Sequence, residues 1–343
     1  MISKADFKKD KNGIIKLWER NFSDVPSERF DWIYENNPAG VPSCWLAKKD
    51  GQVVGSTAIF PRLLYINGEA VTAGIAGDFS VIKELRGLGP ALSLQLKAAS
   101  NYVSEGFGIL YSLPNKKSEG ILKRVGYSDI GGILWLTRPL KFQNYLGKKF
   151  DLPVIGKILS RPIDMAMGRF AKENFYVRSK DYSCELLTYF DLRFDILWER
   201  AAPQFTIIGE RTCSYLNWRF INSPHKSHLI FVIKHAKTDE IHGYITFSIA
   251  KNRANIVDLL SLSDHTLDVL LSEFILSLRR ECIDAVSINL AGCIDLVIKL
   301  QRYGFFIRAR EGKFVALFPP DSPFAQYISE IKNWYLMEGD NDI

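Results

Sequence analysis

The sequence is poor in the residues that build disulfide frameworks and metal centres. Its 343 residues include five cysteines and five histidines. The cysteines lack Cys-x-x-Cys spacing, and an odd number in a chain of this size predicts reduced thiols. His225 and His228 have the spacing of a metal pair, but no third ligand stands at a suitable distance in the sequence. We therefore expect no metal site.

Long apolar runs and dense basic runs are missing as well. No stretch reaches the length that a membrane-spanning helix needs, and residues 1–6 do not begin a signal-peptide apolar segment. The formal net charge is +6, yet no Lys/Arg run is dense enough for a nucleic-acid arm. These absences predict a cytoplasmic protein with no nucleic-acid partner and no membrane span.

What is present is an ordinary globular composition and an internal repeat. The chain is 47% hydrophobic and 24% charged, and its length fits two domains. Four landmarks recur in the same order: Leu17-Trp18-Glu19-Arg20 and Leu197-Trp198-Glu199-Arg200; Trp32-x-x-x-Asn36-x-Pro38 and Trp218-x-x-x-Asn222-x-Pro224; strands around Gly55 and Gly243; Gly126-Tyr127 and Gly304-Phe305. The repeat predicts a duplicated domain. We expect domains at 1–137 and 176–343, joined by a connecting segment at 138–175 that contains short helices.

The pattern of the first half is that of an α/β (α+β) fold. Helices are predicted at 12–22, 28–36, 90–103 and 117–125, and strands at 44–49, 52–60, 108–113 and 133–137. Asp50-Gly51 and Asn67-Gly68 are typical hairpin turns. The tryptophans on the predicted helices recur in both copies, which favours a structural role in packing.

The stretch from Gly77 to Leu96 has the pattern of an anion site. It reads as a strand, a turn with two glycines, and a helix that begins near Pro90. Such a turn directs backbone N–H groups and the positive end of the helix dipole at one place, and Arg86 could add a full charge. At the matching place the second copy has Ser261 to Thr266, without glycine or arginine and with the acid Asp264. We expect one functional half and one degenerate half.

Arg86-Gly87-Leu88-Gly89-Pro90-Ala91 resembles the Arg/Gln-x-x-Gly-x-Gly/Ala motif of the GNAT acetyltransferase superfamily. The strand Phe79-Ser80-Val81, the strand end Leu113-Pro114-Asn115 and the pair Gly126-Tyr127 follow the order of that family. The resemblance covers residues 1–137 well and 176–318 weakly. It implies two tandem GNAT-like domains, each a mixed, mostly antiparallel sheet flanked by helices, and an N-acyltransferase with acyl-CoA as co-substrate.

The resemblance also implies roles for individual residues. The backbone of Phe79, Ser80 and Val81 would pair with the pantetheine amides, and Asn115 would lie near the pantetheine arm. The N–H groups from Arg86 to Ala91 would bind the CoA pyrophosphate: Arg86, Gly87, Leu88, Gly89, Pro90 and Ala91. The N–H of Val81 or its neighbour would stabilise the oxyanion. The Tyr that commonly protonates the thiolate in this family is replaced by Leu122, so solvent could serve as the acid.

A general base or a water relay is needed because an ammonium group must lose a proton before it attacks. Asp78, at the end of the strand beside the expected thioester, is our first choice. It could equally be a salt-bridged or turn-stabilising carboxylate, and Glu84 is the alternative base.

The acceptor is less defined than the donor. Tandem GNAT chains of this length resemble sugar N-acyltransferases that modify a nucleotide-linked amino sugar for surface polysaccharides, and the positive net charge agrees with such an anionic acceptor. Acylation of another small amine or of a protein lysine stays open, as does a non-catalytic acyl-CoA-binding module. Aminoacyl-tRNA as donor is disfavoured by the intact glycine turn. A homodimer is compatible with the sequence.

Overall fold

The computed structural model of the chain describes residues 1–22, 25–87, 89–141, 171–176 and 180–341. The short helices expected within the connecting segment 138–175 lie largely outside these residues. Leu88 of the glycine turn also lies outside them.

The first half begins with a capped helix and a long hairpin. The Asp6 side chain accepts a hydrogen bond from the Lys8 amide and starts α1 earlier than the predicted residue 12. Both predicted hairpin turns form, with positive φ at Asp50, Gly51, Asn67 and Gly68. The elements are β1 Ile2–Lys4, α1 Phe7–Asn21, β2 Ser43–Lys49, β3 Gln52–Ile66, β4 Glu69–Val81, α2 Pro90–Asn101, β5 Ile109–Ser112, α3 Lys116–Arg124 and β6 Ser128–Pro139. The helix predicted at 28–36 is a π-helical turn, Asp31–Glu35.

The second half repeats this layout. A π-helical turn, Asn217–Ile221, again stands where the first half has Asp31–Glu35. The elements are β7 Tyr182–Leu187, α4 Arg193–Ala201, β8 Ile207–Gly209, α5 Cys213–Leu216, β9 Leu229–His235, β10 Ile241–Ala250, β11 Arg253–Ser261, α6 Asp264–Arg280, β12 Ala285–Gly292, α7 Ile294–Arg302, β13 Phe306–Leu317, α8 Ala325–Ile328 and β14 Trp334–Met337. Leu17-Trp18 and Leu197-Trp198 are buried on the matching helices α1 and α4.

One mixed, mostly antiparallel sheet runs through both halves, in the order β1-β2-β3-β4-β5-β13-β6-β12-β11-β10-β9-β7. The halves exchange strands: β13 of the second half lies between β5 and β6, and β6 of the first half pairs with β12. The predicted fold class, a mixed sheet flanked by helices in two repeated halves, is confirmed. The limits 1–137 and 176–343 stay a prediction, since the exchanged strands join the halves into one sheet.

The matched tryptophans of the repeat meet where the halves join. The rings of Trp32 and Trp218 stack at 5.0 Å. The indole N–H of Trp32 donates to the carbonyl of Trp218 at 2.7 Å, and that of Trp218 donates to the carbonyl of Trp32 at 2.9 Å. Equivalent residues therefore make reciprocal contacts. This confirms the structural role expected for these tryptophans.

An apolar cluster positions α2 on the sheet. Leu94 of α2 is fully buried against Val81, Leu110 and Tyr127. Burying a leucine side chain stabilises a fold by about 1.5–3 kcal/mol. The start of α2 is thus held above the ends of β4 and β5, where the candidate site lies.

Candidate functional site

The pairing of β4 with β5 stops before β4 ends, and we call the region beside the unpaired end of β4 the wedge. They pair in parallel from Ala73 to Ile75 and from Ile109 to Tyr111, and the Ser112 hydroxyl donates to the Ala76 carbonyl at 3.0 Å. β5 then ends, whereas β4 continues to Val81 and pairs with β3 on its other side. In the described part of the chain, the edge of Gly77–Val81 that faces the wedge has no strand partner. Apart from the Val81 carbonyl, which accepts a hydrogen bond from Arg86, the N–H and C=O groups of this edge can bind an extended amide-containing ligand.

A β-bulge interrupts β4 inside this wedge. Ser80 pairs with Ser56 and Gly77 pairs with Ala58, so two residues, Asp78 and Phe79, stand opposite one. Asp78 has φ +47°, a backbone conformation that aspartate tolerates better than most residues. The Ser56 hydroxyl donates to the Asp78 carbonyl at 3.0 Å. The bulge changes the direction of the backbone just before Phe79–Val81, the residues predicted to pair with pantetheine.

The Asp78 carboxylate is held in a buried ion pair. Arg29 donates to both of its oxygens, at 2.6 and 3.0 Å, and the Tyr34 hydroxyl donates to Oδ2 at 2.9 Å. The Arg29 guanidinium also lies 4.5 Å from the centre of the Trp18 ring. Burial and the charge of Asp78 raise the pKa of Tyr34, so its phenol stays protonated. These contacts favour the salt-bridged interpretation of Asp78, and its role as base stays a prediction.

The glycine turn leads from β4 to the start of α2. Gly87 and Gly89 have φ of +91° and +97°, and a Cβ at either position would meet no atom within 4 Å. Pro90 occupies the first helical position, and the first turn of α2 has no acidic residue. The next amides, of Ala91 and Leu92, have no acceptor within the helix, as at any helix start. Space is open around Gly87 and Gly89, and anion binding at this turn stays a prediction.

Arg86 is tied to the protein around the turn. Its Nε donates to the Val81 carbonyl at 2.9 Å and its Nη2 to the Asn21 side chain at 2.5 Å. Its own N–H donates to the Lys83 carbonyl at 3.3 Å. The Arg86 amide, one of those expected to bind pyrophosphate, is therefore already hydrogen-bonded within the protein. Pro90 has no backbone N–H to donate. The remaining pyrophosphate contacts stay predictions.

Asn115 caps α3 next to the wedge. Its Oδ1 accepts hydrogen bonds from the amides of Lys117 and Ser118, at 2.9 and 3.1 Å. The residue is exposed, three positions after the end of β5. A place beside a pantetheine arm stays a prediction.

Tyr111 and Tyr127 belong to the core and are not placed to act as the acid that Leu122 replaces. Tyr111 is fully buried and its hydroxyl donates to the Asp340 carbonyl at 3.0 Å; Tyr127 is 4% exposed. Burial raises the pKa of both phenols above the ordinary range. Leu122, at the position of the family's usual acid, is buried as well, and Glu84 is exposed in the turn before Arg86.

A cavity of about 320 Å³ lies at the junction of the halves, beside the wedge. Its volume is in the range of small-molecule sites. Leu113, the residue that follows β5, contributes to its wall. Other lining residues come from β6, β12 and the chain that begins with β14: Trp135, Asn289, Met337, Glu338 and Asn341. No spacing motif predicts these residues, because strand exchange brings them together from distant parts of the chain.

A buried network holds the segment Glu338–Asn341 at this junction. Asp340 accepts from Arg62 at 3.0 Å and from Arg211 at 2.5 Å, and these three side chains are at most 2% exposed. Arg219 donates to the carbonyls of Gly339 and Asn341, at 2.7 and 2.8 Å. Burial alone would raise the pKa of Asp340, but the charges of Arg211 and Arg62 lower it. Both halves thus fix the position of this segment.

The second half has no open turn at the matching place. α6 begins with a capping box, in which Ser263 accepts from the Thr266 amide and the Thr266 hydroxyl accepts from the Ser263 amide. Asp264 in its first turn pairs with Lys299 at 2.6 Å. The helix start is capped by its own residues and carries a negative charge, which opposes anion binding.

The described residues contain no group of three or more His, Cys, Asp and Glu side chains placed to hold a metal ion. His225 packs edge-on to Trp32 at 5.7 Å, whereas a ring nitrogen of His228 bonds to the Phe220 carbonyl at 3.0 Å. Burial lowers the pKa of both. In the same part of the chain, no helix has the length and apolar character needed to cross a membrane.

Residues 3–130 match the family model described as "Acetyltransferase (GNAT) domain". This range includes β4, the glycine turn, α2 and β5. By this match, residues 3–130 are similar to a GNAT acetyltransferase domain. Domains of this family use acyl-CoA and an amine acceptor. No curated protein matches the sequence.

Solved GNAT structures resemble the whole chain. A GCN5-related N-acetyltransferase from Anabaena variabilis aligns with a TM-score of 0.66 at 15% identity, over 92% of this chain and 72% of that chain. A probable N-acyltransferase from Enterococcus faecalis aligns with a TM-score of 0.67 at 15% identity, over 93% and 72%. A tandem GNAT protein from the clavulanic acid biosynthesis pathway aligns with a TM-score of 0.55 at 16% identity, over 94% of this chain and 99% of that chain. These likenesses show the fold, and they confirm the expected tandem GNAT-like architecture.

Proposed function

We propose that the protein is an acyl-CoA-dependent N-acyltransferase whose donor site is the wedge between β4 and β5. The main support is that the wedge lies beside an open glycine turn at the start of α2. Both features fall inside the range that matches the GNAT model. The pyrophosphate binds the free amides of the turn, and the pantetheine arm pairs with Phe79–Val81. The capped start of α6 leaves the second half without a donor site.

The reaction is direct attack of an amine on the thioester carbonyl. The tetrahedral oxyanion accepts a hydrogen bond from the N–H of Val81 or its neighbour, and collapse releases CoA as the thiol. Asp78 is the base predicted from the sequence. In this structure its contacts also suit a second role, in which the Arg29 ion pair holds the bulge and so positions the backbone that binds the donor.

Calorimetry with acetyl-CoA tests the donor site. Gly89→Trp places a large side chain at the open turn and should weaken acetyl-CoA binding at least tenfold. Gly106→Trp is the matched control, because Gly106 also has a positive φ, +93°, and a Cβ added there would meet no atom within 4 Å. Equal loss of affinity in both variants, or in neither, would contradict the assignment of the turn.

For the acceptor we propose a nucleotide-linked amino sugar, in surface polysaccharide biosynthesis. The support is the net charge of +6 and a cavity whose wall offers Trp135, two asparagine side chains and a carboxylate. Another small amine or a protein lysine is the alternative. Thiol release from several acyl-CoAs, measured against a panel of amino-sugar nucleotides, free amino sugars, polyamines and lysine peptides, separates these classes.

A non-catalytic acyl-CoA-binding module is the second candidate. The duplicated layout favours it, since the second half keeps the fold while the start of α6 is capped by its own residues. Wild-type protein that binds acetyl-CoA but releases no thiol with any amine of the panel would support this module over the enzyme.

A further inference from the structure

Glu338 is a carboxylate presented to the junction cavity. Glu338 is the one acidic residue among the described residues that line the cavity. None of these lining residues is lysine, arginine or histidine. Oε2 of Glu338 accepts hydrogen bonds from the side-chain amides of Asn255 and Asn289, at 2.9 and 3.2 Å. Across the described ranges, no basic group lies within ion-pair distance of it. Both of these hydrogen bonds go to Oε2, and no described residue donates to Oε1, which can receive a ligand.

The donors that hold Glu338 are themselves oriented. The Ser287 hydroxyl donates to Oδ1 of Asn255 at 3.0 Å, which turns the amide nitrogen of Asn255 towards Glu338. Two residues further along the chain, Asp340 is fixed by Arg62 and Arg211. Side chain and backbone are therefore both held in place. A charged group held with one free oxygen is suited to recognise a single cationic atom.

A cavity with one negative charge and no positive charge selects its ligand electrostatically. An ammonium group would form a charge-assisted hydrogen bond with Oε1, whereas a phosphate group would be repelled. Leu113 in the cavity wall directly follows β5, so the cavity opens beside the wedge that receives the donor. An amine bound here lies next to the place where the thioester would stand.

We propose that the junction cavity is the acceptor site and that Glu338 binds the ammonium group of the acceptor and takes its proton. Glu338 then serves as the base in place of Asp78, whose carboxylate is held by Arg29 and Tyr34. This inference rests on the proposed N-acyltransferase function. The acceptor class is a primary amine on a neutral body. If the acceptor is linked to a nucleotide, only its amino sugar enters the cavity and its diphosphate stays outside.

The step balances without a further reactant. The ammonium transfers one proton to Glu338, and the freed lone pair forms the C–N bond at the thioester carbonyl. The C–S bond breaks as the tetrahedral intermediate collapses. A second proton from nitrogen goes to the leaving thiolate, and the proton on Glu338 returns to solvent.

The test uses Glu338→Gln, which keeps an oxygen for Asn255 and Asn289 and replaces the charge with an amide. Glu330→Gln is the control, because the Glu330 side chain is 58% exposed and outside the cavity. Binding of glucosamine is followed by ligand-observed NMR, binding of acetyl-CoA by calorimetry, and transfer to the best amine of the panel by thiol release. Glu338→Asp is the conservative variant.

We expect Glu338→Gln to weaken glucosamine binding at least tenfold and to lower kcat about 10²–10⁴-fold, the usual contribution of a general base. Acetyl-CoA affinity should stay within twofold of wild type, and Glu338→Asp should recover part of the rate. In Glu338→Gln, the limb of the pH–rate profile that depends on the general base should disappear. Two titratable groups lie near Glu338: His228, whose pKa is influenced by the charge of Glu338, and Asp340. Neither group is changed in these variants.

Each other outcome has a definite meaning. Transfer that is unchanged in Glu338→Gln overturns the inference and leaves the N-acyltransferase function standing. Wild-type protein that binds neither glucosamine nor another amine of the panel also overturns it. Amine binding that depends on Glu338 but leads to no thiol release supports the amine site and refutes the proposed enzyme.

Discussion

Asp78→Asn removes one charge from a buried ion pair while it keeps the size of the side chain. Arg29 and Asp78 are 5% and 7% exposed, and the pair has two hydrogen bonds at 2.6 and 3.0 Å. Asparagine can occupy the positive φ of this bulge, so backbone strain should change little. The main effect is an arginine left in the core without its counter-charge.

The expected loss is about 3–5 kcal/mol, the usual result of removing one partner from a buried ion pair. A chain of 343 residues has an unfolding entropy of about 0.7 kcal/mol per kelvin, which converts this loss into a Tm decrease of about 4–7 °C. The bulge should also loosen, so acetyl-CoA affinity should fall together with stability.

Thermal denaturation followed by circular dichroism measures the effect. Asp239→Asn is the matched control: Asp239 has φ +60° and pairs with Arg193 and Lys234, but its side chain is 57% exposed. Its Tm should change little, because solvent screens exposed pairs. The double variant Arg29→Met/Asp78→Asn should recover part of the loss, since no lone charge remains. Equal Tm values for Asp78→Asn and the control would refute the reasoning.

Three further predictions concern the junction, the cap of α3 and acid stability. Arg62→Met leaves Asp340 with one of its two arginines and should destabilise the fold by about 3 kcal/mol in denaturant unfolding; no change in midpoint would contradict a role of the network. Asn115→Ala should cost about 1 kcal/mol in the same assay, and a neutral result would exclude the cap. Burial lowers the pKa of His228, so the unfolded chain binds more protons there and stability is lost as pH falls below about 6.5. His228→Gln should flatten this slope, and an unchanged slope would point to other groups.

Local features of the fold and of the proposed donor site could be predicted from the sequence. Asn67-Gly68 and Asp50-Gly51 specify their turns through backbone preferences of the residues themselves, and Gly87, Gly89 and Pro90 do the same for the start of α2. The repeated tryptophans indicated the duplication correctly. Each of these signals depends on neighbouring residues, so one sequence is enough to read them.

Features that depend on distant pairing could not be predicted. β6 and β13 both read as ordinary apolar strands, and nothing in either strand specifies exchange between the halves. Arg29 and Asp78 are 49 positions apart, and their ion pair becomes visible only when the segment that leads into the π-helical turn Asp31–Glu35 is packed on the sheet. Glu338 belongs to no motif, because its partners Asn255 and Asn289 come from β11 and β12.

A crystal structure with acetyl-CoA bound tests the central claim most directly. The pyrophosphate should lie within hydrogen-bond distance of the amides of Gly87, Gly89 or Ala91, and the thioester should lie in the wedge between β4 and β5. Acetyl-CoA bound at the start of α6, or elsewhere in the second half, would contradict it.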